Sequence, residues 1–237
     1  MATEFEKQFV NNIKRAHVHV AWDGDDSSEV HVVIWPTWSG LSDFEKGFAE
    51  DIVSWGHTAT AVDLYGVGNN PTELQAKADT MMALVANKES LIALQTSICE
   101  DIAEAHPNKK LAHVGFCLGG RLSLEAGLHI PTSQGAASFH GLMNFHRATS
   151  SVEINQKTKI LIFNGYQDPM VDIESADKAR AYFDEQGLDW QFIDFGQTKH
   201  SFMLPDANAP QEGHAFSAAA NARARHALRF FLDEIAG

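Results

Sequence analysis

Gly115-Phe116-Cys117-Leu118-Gly119-Gly120 follows the apolar run 111–114 and precedes a helical pattern, and the reading of this hexapeptide decides the fold. Cys117 is one of only two cysteines, and it stands between glycines where a strand gives way to a helix. A residue on so sharp a turn is held in an unfavourable backbone conformation, and side chains two positions to either side would run into neighbouring backbone. Glycine at 115 and 119 meets that demand. The plainer alternative is a small buried hydrophobe, the usual fate of a free cysteine.

Working outward, strands and helices alternate. A strand over 111–116 leads into a helix over 118–129, followed by strands over 136–139 and 158–163, the latter the very apolar TKILIF. A polar helical pattern over 174–186 ends at Gly187, a strand covers 190–195, and a final helix covers 215–235. Upstream, His31-Val32-Val33-Ile34-Trp35 is a buried strand closed by Pro36. Ser42 and Glu45 form a capping-box pattern ahead of Phe44, Phe48, Ile52 and Val53, with Gly56 at the helix end. A strand over 58–62 follows, and Asn70-Pro71 opens a long helical region, broken near Asn87, that runs to His106-Pro107.

The N-terminal part reads differently. Phe5, Phe9, Val10 and Ile13 recur at helical spacing, after which residues 17–22 read as a strand and Asp23-Gly24-Asp25-Asp26 as a turn, so 17–22 and 31–35 are expected to pair as a hairpin. His17, His19 and His31 fall on one strand face, where a solvated face is expected rather than a metal site. Altogether the pattern predicts an α/β fold with a mostly parallel central sheet and helices on both faces.

At 237 residues with no linker, internal repeat or low-complexity segment, 1–237 is expected to form a single domain. Eighteen Lys and Arg against 31 Asp and Glu give a formal charge of −13, which repels phosphate backbones and anionic membranes. Nucleic-acid and membrane partners are therefore not expected. The start MATEFEKQFV lacks the basic and apolar regions of a signal peptide, which points to a cytoplasmic protein with both thiols free. Monomer and homodimer are both open.

In an open α/β sheet, reactive side chains belong at the carboxyl ends of strands. Cys117 follows the strand LAHVGF, Asp168 follows TKILIFNG and His200 follows WQFIDF. Nucleophile, acid, histidine is the chain order of the α/β-hydrolases, whose G-x-S-x-G elbow reads here Gly115-x-Cys117-x-Gly119. A free thiol is only a few per cent ionised at neutral pH, but the helix N-terminus at Leu118 and a protonated His200 would both favour the thiolate. Asp172 is a neighbouring rival to Asp168. Gly66-Val67-Gly68 lacks the third glycine of a dinucleotide-binding turn, so no cofactor is expected.

GFCLGG, GYQD and KHSF, in this order and at this spacing, resemble the dienelactone hydrolases from about residue 29 to the last helix. The resemblance implies an α/β-hydrolase fold with Cys117 as nucleophile, His200 as general base and acid, and Asp168 orienting the imidazole. It places the oxyanion hole at the backbone N–H groups of Leu118 and Trp38. It implies a small-molecule ester or lactone substrate, no cofactor and no metal. Two positions depart from the family: Thr37 replaces a glutamate tied to activating the thiol, and Leu204 replaces an arginine that binds a substrate carboxylate. The expected substrate is therefore a less charged or more apolar ester, lactone or thioester, in a pocket lined by Thr37, Trp38, Tyr65, His140, Ser201, Phe202 and Leu204. The alternative is a hydrolase-like scaffold without turnover, using its thiol or pocket for binding or redox sensing.

Overall fold

Residues Val30–Trp35 show how the sheet is built. All six are buried, and successive side chains pass to opposite faces: Val30, Val32 and Ile34 enter one apolar cluster, Val33 and Trp35 another. A strand covered on both sides must be apolar almost throughout, as VHVVIW is. Its one polar member, His31, is satisfied internally, with Nδ1 and Nε2 each 2.8 Å from a hydroxyl, of Thr58 and Thr60, and its ring stacked on His106 at 3.9 Å. Burial, reinforced by His106, lowers the His31 pKa well below its ordinary value. The expected solvated face is thus a buried polar cluster at His31, while the side chains of His17 and His19 lie outside the described part.

The computed structural model describes residues 2–8, 16–22, 28–146 and 154–237, the first two segments by their backbone. In chain order the elements are β1 (Ala2–Gln8), β2 (Ala16–Trp22), β3 (Val30–Trp35), α1 (Asp43–Ser54), β4 (Thr58–Ala61), α2 (Leu74–Ala86), α3 (Lys88–Ala105), β5 (Lys110–Phe116) and α4 (Leu118–His129). There follow β6 (Ser133–Phe139), β7 (Lys159–Gly165), α5 (Ile173–Glu185), β8 (Asp189–Phe195), β9 (Asn208–Ala209), β10 (His214–Ala215) and α6 (Ala218–Ala236).

The sheet runs β1-β2-β4-β3-β5-β6-β7-β8, parallel from β4 to β8 and antiparallel at β1 and β2. The winding reverses between β3 and β5: the chain leaves β3 toward β4 and leaves β5 toward β6. Loops diverging from such a point open a crevice at the carboxyl edge. α1 and α6 cover one face through Phe48, Ile52, Leu228 and Leu232, while α3, α4 and α5 cover the other. Every residue of α4 is buried, as expected of a helix packed against both the sheet and other helices. Its two charged members are paired, Arg121 Nε donating to Glu125 Oε1 at 2.9 Å, and the same oxygen accepts the His146 N–H at 2.7 Å.

Three expectations need correction. Residues 2–8 form a strand rather than the start of a helix, because their backbone groups pair with β2 from Ala2↔Trp22 to Gln8↔Ala16; residues 9–13 and the turn at 23–26 lie outside the described residues. The strand over 17–22 does not pair with 31–35, since β4 lies between them. The last helix begins at Ala218, with Ser217 as its N-cap, because His214 and Ala215 are drawn into β10 against β9. The capping box at Ser42 and Glu45 and the break at Asn87, which caps α3, form as read.

Phe139 lies at the centre of an aromatic row along the sheet, stacked on Phe116 at 5.1 Å and on Phe163 at 4.6 Å, and is fully buried. Phe139→Ala is expected to lower unfolding free energy by about 3–5 kcal/mol, the range for deleting a buried aromatic ring. Urea unfolding of the two proteins measures it, and a loss under about 1 kcal/mol would contradict this packing.

Candidate active site

Cys117 is a left-handed residue between β5 and α4, at φ 54° and ψ −114°. Its N–H donates to the Phe139 carbonyl at 3.1 Å, and its own carbonyl accepts from Gly120 and Arg121 at 3.1 and 3.3 Å. The flanking glycines are required by close approach. A Cβ on Gly115 would lie 1.9 Å from the Gly119 carbonyl oxygen, and one on Gly119 would lie 2.1 Å from that of Trp35. The elbow is therefore seated directly on the backbone leaving β3. The thiol is half-buried, whereas Cys99 is fully buried inside α3.

Asp168 and His200 come from the loops after β7 and β8. These loops are tied together, Gln167 N–H donating to the Thr198 carbonyl at 2.9 Å. Asp168 Oδ1 accepts the Met170 N–H at 2.8 Å, which leaves Oδ2 to accept from His200 Nδ1 at 2.7 Å. His200 is anchored by its own backbone, its N–H to the Gly213 carbonyl at 2.9 Å and its carbonyl to the Ala215 N–H at 3.1 Å. The rival Asp172 is the N-cap of α5, accepting the Ser175 N–H at 2.7 Å.

With Nδ1 committed to Asp168, the remaining nitrogen of His200 is buried and carries no hydrogen bond among the described residues. Burial alone would lower the pKa of this ring. The Asp168 hydrogen bond and the neighbouring Cys117 sulfur overcome that and push it up to about 10. Two more imidazoles flank it edge-on, His140 at 5.0 Å and His214 at 5.2 Å between centroids, and both are shifted down, by burial first and by His200 next. His214, which the sequence reading does not single out, reaches this place through β10, and its Nδ1 lies 3.2 Å from Ser201 Oγ. No local pattern marks it.

The residues expected to line the pocket divide into two groups. Ser201 and Leu204 line a cavity of about 330 Å³ together with Phe44, Pro205, Asp206, Ala207, Asn208, Ala209 and His214. His140, Phe202, Tyr65 and Thr37 are buried behind the site, and Trp38 is partly buried. The Tyr65 hydroxyl donates to the Trp38 carbonyl at 3.2 Å, and the Thr37 N–H donates to Glu45 Oε1 at 3.1 Å. Leu118 is the first residue of α4, so its N–H has no acceptor within the helix.

The family model described as the dienelactone hydrolase family matches residues 19–235. Among solved structures, a protein named m3DLH is 25% identical, with a TM-score of 0.84 over 99% of this chain and 98% of its own. The dienelactone hydrolase-like promiscuous phosphotriesterase P91 from metagenomic libraries is 23% identical, with a TM-score of 0.83 over the same shares. Esterase 2 of Thermogutta terrifontis is 15% identical, with a TM-score of 0.66 over 98% of this chain and 94% of its own. No curated protein matches.

Two measurements test the electrostatics. A histidine raised on folding contributes stability that is complete below its ordinary pKa of 6.5 and is lost as pH rises toward about 10. The His200 ring resonance in NMR is thus expected to titrate near 10, and in Asp168→Asn, where burial is less opposed, at a lower pH; a parent midpoint at or below 6.5 would contradict the arrangement. Burial pushes the Cys99 thiol up, so iodoacetamide at neutral pH should modify Cys117 more than about tenfold faster, as peptide mass spectrometry would record.

Proposed function

The chain belongs to the dienelactone hydrolase family, and from that premise we propose that it cleaves small neutral esters or lactones, with Cys117 as nucleophile. What supports this reading is a thiol on a strained elbow at the carboxyl end of β5, together with an imidazole hydrogen-bonded to a buried carboxylate and raised in pKa partly by that sulfur.

The chemistry follows in two halves. The proton of the Cys117 thiol rests on His200, an imidazolium stabilised by Asp168, and the thiolate attacks the carbonyl carbon. The resulting oxyanion accepts hydrogen bonds from the N–H groups of Leu118 and Trp38, an interaction in which one donor is typically worth about 2.7–4 kcal/mol. His200 then gives its proton to the leaving alcohol, and an acyl-thioester remains on Cys117. In the second half His200 deprotonates a water, which attacks the thioester carbonyl, and the acid leaves as the thiol is restored. Every step is carried by groups of the chain itself.

The cavity lined by Ser201, Leu204 and His214, whose described lining includes neither Cys117 nor His200, supports a neutral, apolar substrate if it leads to them. Phe44, Leu204, Pro205, Ala207 and Ala209 give it apolar walls, Asp206 adds a carboxylate, and among the described residues no lysine or arginine lines it. A free carboxylate on the substrate would lose hydration there without gaining a cation.

Hydrolysis of short-chain p-nitrophenyl esters and simple lactones is the test. Cys117→Ala and His200→Ala should each lower kcat by roughly 10³-fold or more, as removal of one member of a concerted catalytic unit does. Thiol labelling of the parent without turnover of any ester, lactone or thioester would replace this reading with one of binding or redox sensing.

A further inference from the structure

The loop after β3 is held by more than its own turn. The Thr37 carbonyl, in the same peptide unit as the Trp38 N–H, accepts from the Gly40 N–H at 3.0 Å. The preceding N–H, that of Thr37, is held by Glu45 Oε1 at 3.1 Å, and the following carbonyl, that of Trp38, by the Tyr65 hydroxyl at 3.2 Å. The Trp38 N–H itself has no acceptor among the described residues. Three consecutive peptide units are thus fixed, the last also through the Ser39 N–H, which donates to Thr37 Oγ1 at 3.3 Å, while the Trp38 N–H between them is left available.

Both outer clamps are buried. Glu45 is fully buried in the first turn of α1, and its other oxygen accepts the Ser42 N–H at 2.9 Å, so one carboxylate closes the helix cap and grips the loop. Helix capping needs only the bond to Ser42. The reach to Thr37 is an additional connection, from the helix to the loop beside the nucleophile. Tyr65 lies at the end of the segment after β4, 2% exposed; burial raises its pKa, and Cys117 nearby adds to the shift. Its ring packs in the core with Trp35 and Leu118, yet its hydroxyl is spent on a loop carbonyl.

We propose that Glu45 and Tyr65 are positioning residues that clamp the loop after β3 from opposite sides and hold the Trp38 N–H where the oxyanion forms. This inference rests on the proposed acyl-transfer reading. A donor works in proportion to how little it must reorganise as charge develops, so loosening a clamp lowers the rate of acyl transfer without changing ground-state binding. Alkylation of the same sulfur passes through no oxyanion and should not sense the clamp.

Tyr65→Phe keeps the ring and removes the hydroxyl; Glu45→Gln keeps the volume and weakens the carboxylate's hold on Ser42 and Thr37. For Tyr65→Phe, kcat on a p-nitrophenyl ester is expected to fall about 10–100-fold with KM within about twofold, less than or comparable to removal of the donor itself. The iodoacetamide rate at Cys117 should stay within about twofold of the parent. Glu45→Gln should show the same split, and it decides the matter independently if the tyrosine variant does not fold. Unchanged kcat in a folded variant would overturn the proposal, and so would alkylation falling in parallel with kcat, since the groups would then act on the thiol or on the fold as a whole. Full turnover by Cys117→Ala would remove the acyl-transfer reading and the proposal with it, an outcome distinct from failure of the clamp variants alone.

Discussion

The structure depends on one backbone-to-backbone contact, where the turn after β5 rests on the carbonyls of Trp35 and Pro36. A single methyl at residue 119 would come within 2.1 and 2.5 Å of those oxygens, and one at residue 115 within 1.9 Å of the Gly119 carbonyl oxygen. With no side chains intervening, β5 can turn into α4 within one residue, and Cys117 takes up the left-handed conformation this requires. Strain of that kind costs about 1–3 kcal/mol. It is offset locally by the hydrogen bonds of the Cys117 N–H and carbonyl. The same contact brings the loop after β3 beside the sulfur, so nucleophile and proposed oxyanion donor are placed by one packing event. His140 and Ser201, at φ 40° and 60°, carry further left-handed strain around the same edge.

Three imidazoles meet behind the thiol, yet only one is held protonated. Burial disfavours the charged form of all three. The difference is Asp168, whose Oδ2 is aimed at the His200 Nδ1 while its Oδ1 is held by the Met170 N–H. Once His200 carries the charge, it pushes its neighbours further toward neutrality, so the positive charge is localised on the ring next to Cys117. His140 is fully buried with neither ring nitrogen hydrogen-bonded among the described residues. It serves best as a neutral packing surface against His200 and Phe202, at 5.0 and 5.2 Å.

From Val30 onward most of the architecture was legible because its signals are local. Fully buried strands are apolar throughout, Ser42 and Glu45 announce a helix start, Asn87 announces another, and the glycine pair frames the elbow. The order Cys117, Asp168, His200 likewise needed only the alternation of strands and helices to bring all three to one edge. What escaped depends on partners distant in the chain. Phe5, Phe9 and Ile13 match a helical period, but residues 2–8 are a strand because β2 supplies hydrogen-bond partners. His214 joins the site only because β10 turns back toward His200. Glu45 was legible as a cap, whereas its second bond to Thr37 follows from the way α1 lies against the loop. Asp168 and Asp172 are equivalent in pattern; the geometry separates them, one facing an imidazole and the other a helix N-terminus.

On the proposed reading, the two positions that depart from the resembled family's motif, Thr37 and Leu204, are where substrate charge would be read. Leu204 stands in an apolar wall with Phe44 and Pro205, and Asp206 beside it adds negative charge to a chain already at −13. An anionic substrate would meet repulsion on approach and desolvation on entry. At residue 37, a threonine brings no second carboxylate, and its backbone N–H is bound to Glu45 instead. A loop fixed in this way from within the fold does not need a substrate anion to organise it. On the proposed reading, the loss of the family's cation at 204 and of its glutamate at 37 are therefore one change: a site preassembled around a neutral carbonyl, with its selectivity set by apolar shape.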